Sequence, residues 1–203
     1  EGYMVWINAL VVSAGNSGGL VVDSGSGEPE PLGIHTEVHV PRESPVEIPL
    51  LTPRSTESSA RGTFYVWLGS RPGDELSVGV KVGGATWLPD VPPGQATTYR
   101  LGDTEGTVFN GPTQGNTSIQ VPARSAVLVV DGTFSPGQVF TLRLSGHGTV
   151  SLWVQSQGGV SPDVSDGVLV PRGEKQGTIN IPGSHPDLIA VGATVNRNRW
   201  RDF

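Results

Sequence analysis

The residues best placed to do chemistry lie early in the chain, in Val11-Val12-Ser13-Ala14-Gly15-Asn16-Ser17-Gly18, where an amide side chain follows a β-branched apolar run. An amide side chain there can both donate and accept hydrogen bonds. Ala14, Gly15 and Gly18 permit a tight turn around Asn16. The plainer reading is a turn asparagine, because Asn tolerates left-handed backbone geometry.

Three further groupings have suggestive chemistry. His35, Glu37 and His39 alternate in Ile34-His35-Thr36-Glu37-Val38-His39-Val40, so all three share one strand face, and two His with a carboxylate suit Zn. A solvated face opposite Ile34, Val38 and Val40 is the simpler expectation. Trp67, Trp87 and Trp153 would suit a sugar-binding face, although core packing is the commoner duty of strand aromatics. Ser17, His147 and Ser151 sit in no Gly-x-Ser-x-Gly elbow or comparable triad order, so no separate hydrolase site is expected.

These residues need elements to position them. The run through Ala9-Leu10-Val11-Val12-Ser13-Ala14 reads as a buried strand of a parallel sheet, and so does Leu188-Ile189-Ala190-Val191-Gly192-Ala193 near the other end. Neither strand is stable alone, and both are expected to pair with other chains or a companion polypeptide. Between them the character changes. Asp23-Ser24-Gly25-Ser26-Gly27-Glu28-Pro29-Glu30-Pro31 is linker-like, and short alternating segments then follow at Ile34–Val40, Val46–Leu51, Thr63–Gly69, Leu76–Val82, Thr97–Leu101, Thr117–Val121, Ala126–Asp131, Gln138–Ser145 and Thr149–Gln155. Arg71-Pro72-Gly73-Asp74 and Phe134-Ser135-Pro136-Gly137 put Pro before Gly as type II turns prefer, so neighbouring strands should be antiparallel. Trp67 and Trp153 are the expected anchors of this module.

Composition agrees. Gly 29 and Pro 17 with 16% charged residues suit many short strands joined by turns. The net charge of -6 with scattered basic residues gives no footprint for nucleic acid or an anionic membrane. With Cys 0, a disulfide framework, a thiolate metal site and a Cys nucleophile are excluded. No apolar run approaches the roughly 20 residues that span a bilayer. The start Glu1-Gly2-Tyr3 has no signal-peptide pattern, and the chain reads as an excised or processed fragment.

The segment Val11 to Gly18 resembles the oxyanion-hole motif of the subtilisin-like serine proteases, or subtilases, with Asn16 at the position of the donor. His185-Pro186-Asp187-Leu188-Ile189-Ala190-Val191-Gly192-Ala193 resembles the subtilase stretch Tyr-Pro-x-Val-Ile-Ala-Val-Gly-Ala, with His185 in place of Tyr and Arg201-Asp202-Phe203 replacing a small-residue approach to the Phe. The resemblance covers Leu10 to Gly19 and Thr178 to Phe203, and ordinary subtilases hold these two stretches close together. The intervening β region is thus expected to be an insert. Gly146-His147-Gly148-Thr149-Val150-Ser151-Leu152-Trp153 is similar to the late Gly-x-Gly-x-x-x-x-Trp of the jelly-roll inserts of Csp-type subtilases.

The resemblance implies a mainly β chain: a jelly-roll-like β-sandwich insert over residues 34–170, flanked by subtilase α/β parallel-sheet segments at 1–20 and 171–203, with a linker at 21–33. It implies an oxyanion role for Asn16 and a specificity-pocket wall from Ser13, Ala14 and Gly15. The triad Asp and His would precede Glu1 and the nucleophilic Ser would follow Phe203, so the expected partners are the remaining subtilase polypeptide and a protein or peptide substrate. The fragment alone should hydrolyse nothing. No cofactor is required. A structural Ca2+ or monovalent cation on the carbonyls of Gly183, His185 and Leu188 is the weaker expectation. The parent is expected to be secreted or held at the cell surface. The alternative is an inactive subtilase relative whose sandwich binds a protein or glycan.

Overall fold

The computed structural model of the chain describes residues 11–13, 19–21, 31–52, 59–71, 73–111, 124–159, 167–178 and 189–191. Its strands are β1 (Val11–Ser13), β2 (Leu32–Gly33), β3 (His35–Val40), β4 (Val46–Leu51), β5 (Ala60–Ser70), β6 (Glu75–Val82) and β7 (Ala85–Val91). They continue with β8 (Gln95–Leu101), β9 (Thr104–Asn110), β10 (Arg124–Phe134), β11 (Val139–Gly158), β12 (Val170–Pro171) and β13 (Ile189–Val191). Among the described residues there is no helix, and the fold is mainly β.

Two antiparallel layers share one strand. The first half of β11 lies between β4 and β6, with β7 beyond β6; its second half lies between β3 and β5, and that layer continues through β10 and β9 to β8. The result is a β-sandwich of jelly-roll-like character, as the alternation predicts. The handover falls at Gly146-His147-Gly148: His147 is the last residue opposite β6 and Gly148 the first opposite β3. Both glycines have left-handed φ, 120° and 141°, and a Cβ on Gly148 would run into the Asp74 carboxylate. Strands that turn a sandwich corner do so through such bends. Gln138–Ser145 and Thr149–Gln155, expected as two strands, are therefore one.

The core lies between the layers. Phe64, Phe134 and Phe140 meet with ring centroids 5.5–5.7 Å apart, Trp87 joins Phe140 at 5.6 Å, and Leu128, Leu142, Leu144 and Leu152 fill the space around them. Fully burying side chains of this size is worth roughly 1.5–3 kcal/mol each.

The expected anchors are different residues. Along β5, Phe64, Val66 and Leu68 point inward, so Tyr65 and Trp67 point outward, and Trp67 is 45% exposed. Trp153 is half-buried on the same outer face, while Trp87 is the buried indole at 4% exposure. Both registers of Thr63 to Leu68 are apolar or aromatic, so alternation alone could not choose the inward set.

Turns form as expected at Ser135 to Gln138, where Gln138 N–H donates to the Ser135 carbonyl at 3.1 Å over a left-handed Gly137, and at Arg71 to Asp74, bridged likewise at 3.1 Å. Two strands the alternation did not reveal, β7 and β9, complete the layers; the expected strand Thr117–Val121 lies outside the described residues.

The ends of the sandwich are knitted together. β2 pairs antiparallel with β12, Gly173 N–H donates to the Pro31 carbonyl at 2.8 Å, and the Thr36 hydroxyl donates to the Arg172 carbonyl at 3.0 Å. β1 and β13 form a separate two-stranded parallel sheet, Val11 opposite Ile189 and Ser13 opposite Val191. The two apolar runs expected to seek partners on other polypeptides are thus paired with each other. The long antiparallel region between them returns the chain to its starting side.

Candidate functional site

Asn16, Ala14 and Gly15 lie outside the described residues, as do Gly183, His185 and Leu188, so the oxyanion-hole and cation expectations have no geometry to report. What is described is the frame around them. Ser13 is the last residue of β1 and stands opposite Val191, the last of β13. Because the two strands are parallel, both carboxyl ends fall on one edge of the pair, and Asn16 follows that edge in sequence by three positions. Open α/β sheets bind their ligands outside the carboxyl ends of parallel strands.

The His35, Glu37 and His39 alternation is not a solvated row. His35 is 6% exposed: its ring stacks on Trp153 at 4.9 Å with 25° between planes, and Gly177 closes over it. Glu37 and His39 are exposed, and among the described residues no cluster of three His, Cys, Asp or Glu is arranged to hold a metal. The cause is the return segment. Glu174 N–H donates to the His35 carbonyl at 2.8 Å and Trp153 Nε1–H donates to the Gly177 carbonyl at 2.7 Å, so residues 174–177 cover the β3 end of the outer face. His35 Nδ1 is left without a hydrogen-bond partner there.

His147 and Ser151 are held by strand pairing opposite Glu75 and Glu37 and build no nucleophile–base pair. Inside the sandwich, a cavity of about 20 Å³ is lined by Asp74, Leu76, Pro93, Asn110, Leu144 and Val150 among others. That is room for about one water and not for a substrate. Its polar wall is occupied: the buried Asn110 Nδ2 donates to the carbonyls of Leu76 and Val91, both at 2.7 Å, tying the end of β9 to β6 and β7. Nothing in the sequence singled out Asn110, because the strand it ends was not legible as one.

Among the described residues the surface carries four ion pairs. Arg61 meets Asp131 at 3.2 Å and Arg143 meets Asp90 at 3.8 Å, while Lys81 pairs with Glu47 and Arg100 with Glu105. The Arg61–Asp131 and Arg100–Glu105 pairs are exposed, and such pairs contribute about 0–1 kcal/mol.

No family model and no curated protein matches the chain. Among solved structures, it is similar to the Clostridium perfringens CspB protease with a TM-score of 0.61 at 13% sequence identity. The match covers 92% of this chain and 35% of that protease, so the chain spans about a third of its length. At this identity the likeness is one of fold.

Proposed function

We propose that this chain is a segment of a subtilisin-like serine endopeptidase, contributing the oxyanion-hole donor Asn16 and a β-sandwich inserted between two strands of the catalytic sheet. The observation that carries the reading is the parallel pairing of β1 with β13. Those strands hold the two stretches that resemble subtilase motifs, and they are adjacent in space although the whole sandwich separates them in sequence. The fold likeness to a protease supports the same reading.

In this mechanism a serine outside the chain attacks the scissile carbonyl, assisted by a histidine and an aspartate also outside it. As the carbonyl oxygen becomes negative, the Asn16 amide donates to it, and Ser13, Ala14 and Gly15 line the pocket for the residue before the scissile bond. The insert braces the catalytic domain or limits which substrates approach.

The test is fluorophosphonate labelling and peptide hydrolysis by the intact polypeptide, with and without Asn16→Ala. A working enzyme labels at serine, and the substitution lowers its turnover by about 10²–10³. A well-folded intact polypeptide that takes no label is instead an inactive relative whose sandwich serves binding.

A further inference from the structure

One row of side chains crosses the entire outer face of the larger layer. His35 stands opposite Trp153, Trp153 opposite Trp67, Trp67 opposite Val127, Val127 opposite Phe109, and Phe109 opposite Ala96. Directly opposed residues of antiparallel strands share a face, so this is a continuous band from β3 to β8. At the β3 end the chain covers its own band, Gly177 lying on His35 and accepting from Trp153. Past Trp153 no described residue covers the band. Trp67 is 45% and Phe109 48% exposed, Tyr65 stacks beside Trp67 at 6.2 Å, and Val129 lies next to them in the neighbouring row.

We propose that the face from Trp67 to Phe109 is the surface on which the sandwich docks against the parallel-sheet unit containing β1 and β13, an inference that rests on reading the chain as a segment of a larger α/β enzyme. The occupant follows from where the chain crosses. Both connections to that unit run through the β2–β12 pair and the contacts of Thr36 with Arg172, at the β3 end of this layer. The last described contact of the returning chain is on Trp153, a member of the band. The unit is thus tethered at the covered end of an open apolar band.

That unit also has surface to offer. Two parallel strands of three residues each do not sustain themselves, so β1 and β13 belong to a wider sheet. The chemistry of the band fits a dry protein contact better than a glycan: Phe109, Val127 and Val129 bring no hydrogen-bonding groups to position hydroxyls. The charged groups stand at its margin, in the Arg61–Asp131 and Arg100–Glu105 pairs. Aromatic anchors within a polar rim are the anatomy of a protein interface.

Hydroxyl-radical footprinting of the intact polypeptide tests this without any substitution. Each side chain's oxidation rate is compared with its rate in the unfolded chain, and Tyr99 and Leu101, 48% and 56% exposed on the other face of β8, are the controls. The docked face protects Trp67 and Phe109 about fivefold or more relative to those controls, at every protein concentration, because a packed interface centre excludes water. Equal rates at all four residues overturn the proposal. Protection that disappears on dilution also overturns it, in favour of a second copy, as does protection that requires an added oligosaccharide. Fluorophosphonate labelling reads the serine independently: a protected face on an unlabelled polypeptide leaves docking standing while the endopeptidase reading falls, and a labelled polypeptide with an open face does the reverse.

Discussion

Trp67 and Trp153 stand directly opposite each other on β5 and β11, yet only Trp153 spends its indole N–H inside the protein, on the Gly177 carbonyl at 2.7 Å. The pair divides the outer face into a part the chain covers and a part it leaves open. Trp153 is consequently a clamp for the return segment, holding the strip that also encloses His35.

Trp153→Phe keeps a ring to stack on His35 but removes the donor together with the indole's second ring. The hydrogen bond alone is worth about 0.5–1.5 kcal/mol of stability, and the lost ring contact adds to it. Amide exchange at residues 174–177 should accelerate well before global unfolding. Unchanged protection of that strip in an exchange experiment would show that the clamp lies elsewhere.

Gly148→Ala places a Cβ against the Asp74 carboxylate at a φ of 141°, and the same carboxylate accepts the backbone N–H of Arg71 and of Thr149. Strain of this backbone kind costs about 1–3 kcal/mol before the clash is counted. Urea unfolding should show a lowered midpoint, and Ala at Gly73, which meets nothing within 4 Å, should cost less.

Asn110 offers a prediction with a pH sign. Asn110→Ala abandons two buried carbonyls, at about 1–3 kcal/mol for each group left unsatisfied. Asn110→Asp is worse at neutral pH, because a buried carboxylate then faces the Leu76 and Val91 carbonyls, while the protonated acid restores one donor. Its folded-state pKa is therefore raised above the ordinary value near 4, so the variant loses stability as pH rises through that range and regains it on acidification. Melting temperatures of the variant relative to wild type across this range carry the test.

Phe140→Ala empties the meeting point of three aromatic contacts, with Phe64, Phe134 and Trp87. A loss of about 3–5 kcal/mol is expected. The weaker exposed pair Arg61–Asp131, broken by Arg61→Ala, should move the denaturation midpoint by less than about 1 kcal/mol.

Much of the sandwich is legible in its residues, and the exceptions have physical causes. Val46–Leu51 is readable to its last residue because its alternation is clean and a turn precedes it. β7 is hidden because Ala85-Thr86-Trp87-Leu88-Pro89-Asp90-Val91 contains two strand-breaking types, which are tolerated since β7 is an edge of its layer. β9 is hidden by Gly106, a position where a side chain would collide with the Trp87 ring. Gly146-His147-Gly148 reads like a turn between strands, and only pairing to two layers reveals one bent strand. The candidate site is legible in a different sense: the expectation for Asn16 rests on motif resemblance, and the structure contributes the strand that precedes it and that strand's parallel partner.

The shared strand also fixes an order of events. β11 follows β3, β4, β5 and β6 in the sequence and is the neighbour of all four. During synthesis these earlier strands emerge with one hydrogen-bonding side each awaiting a segment the ribosome has yet to make. The layer of β4, β6 and β7 gains its central strand with residues 139–147, and the layer of β3 and β5 only with residues 148–158, which follow. Closure therefore comes late and one layer ahead of the other, with unpaired strand edges left open until then.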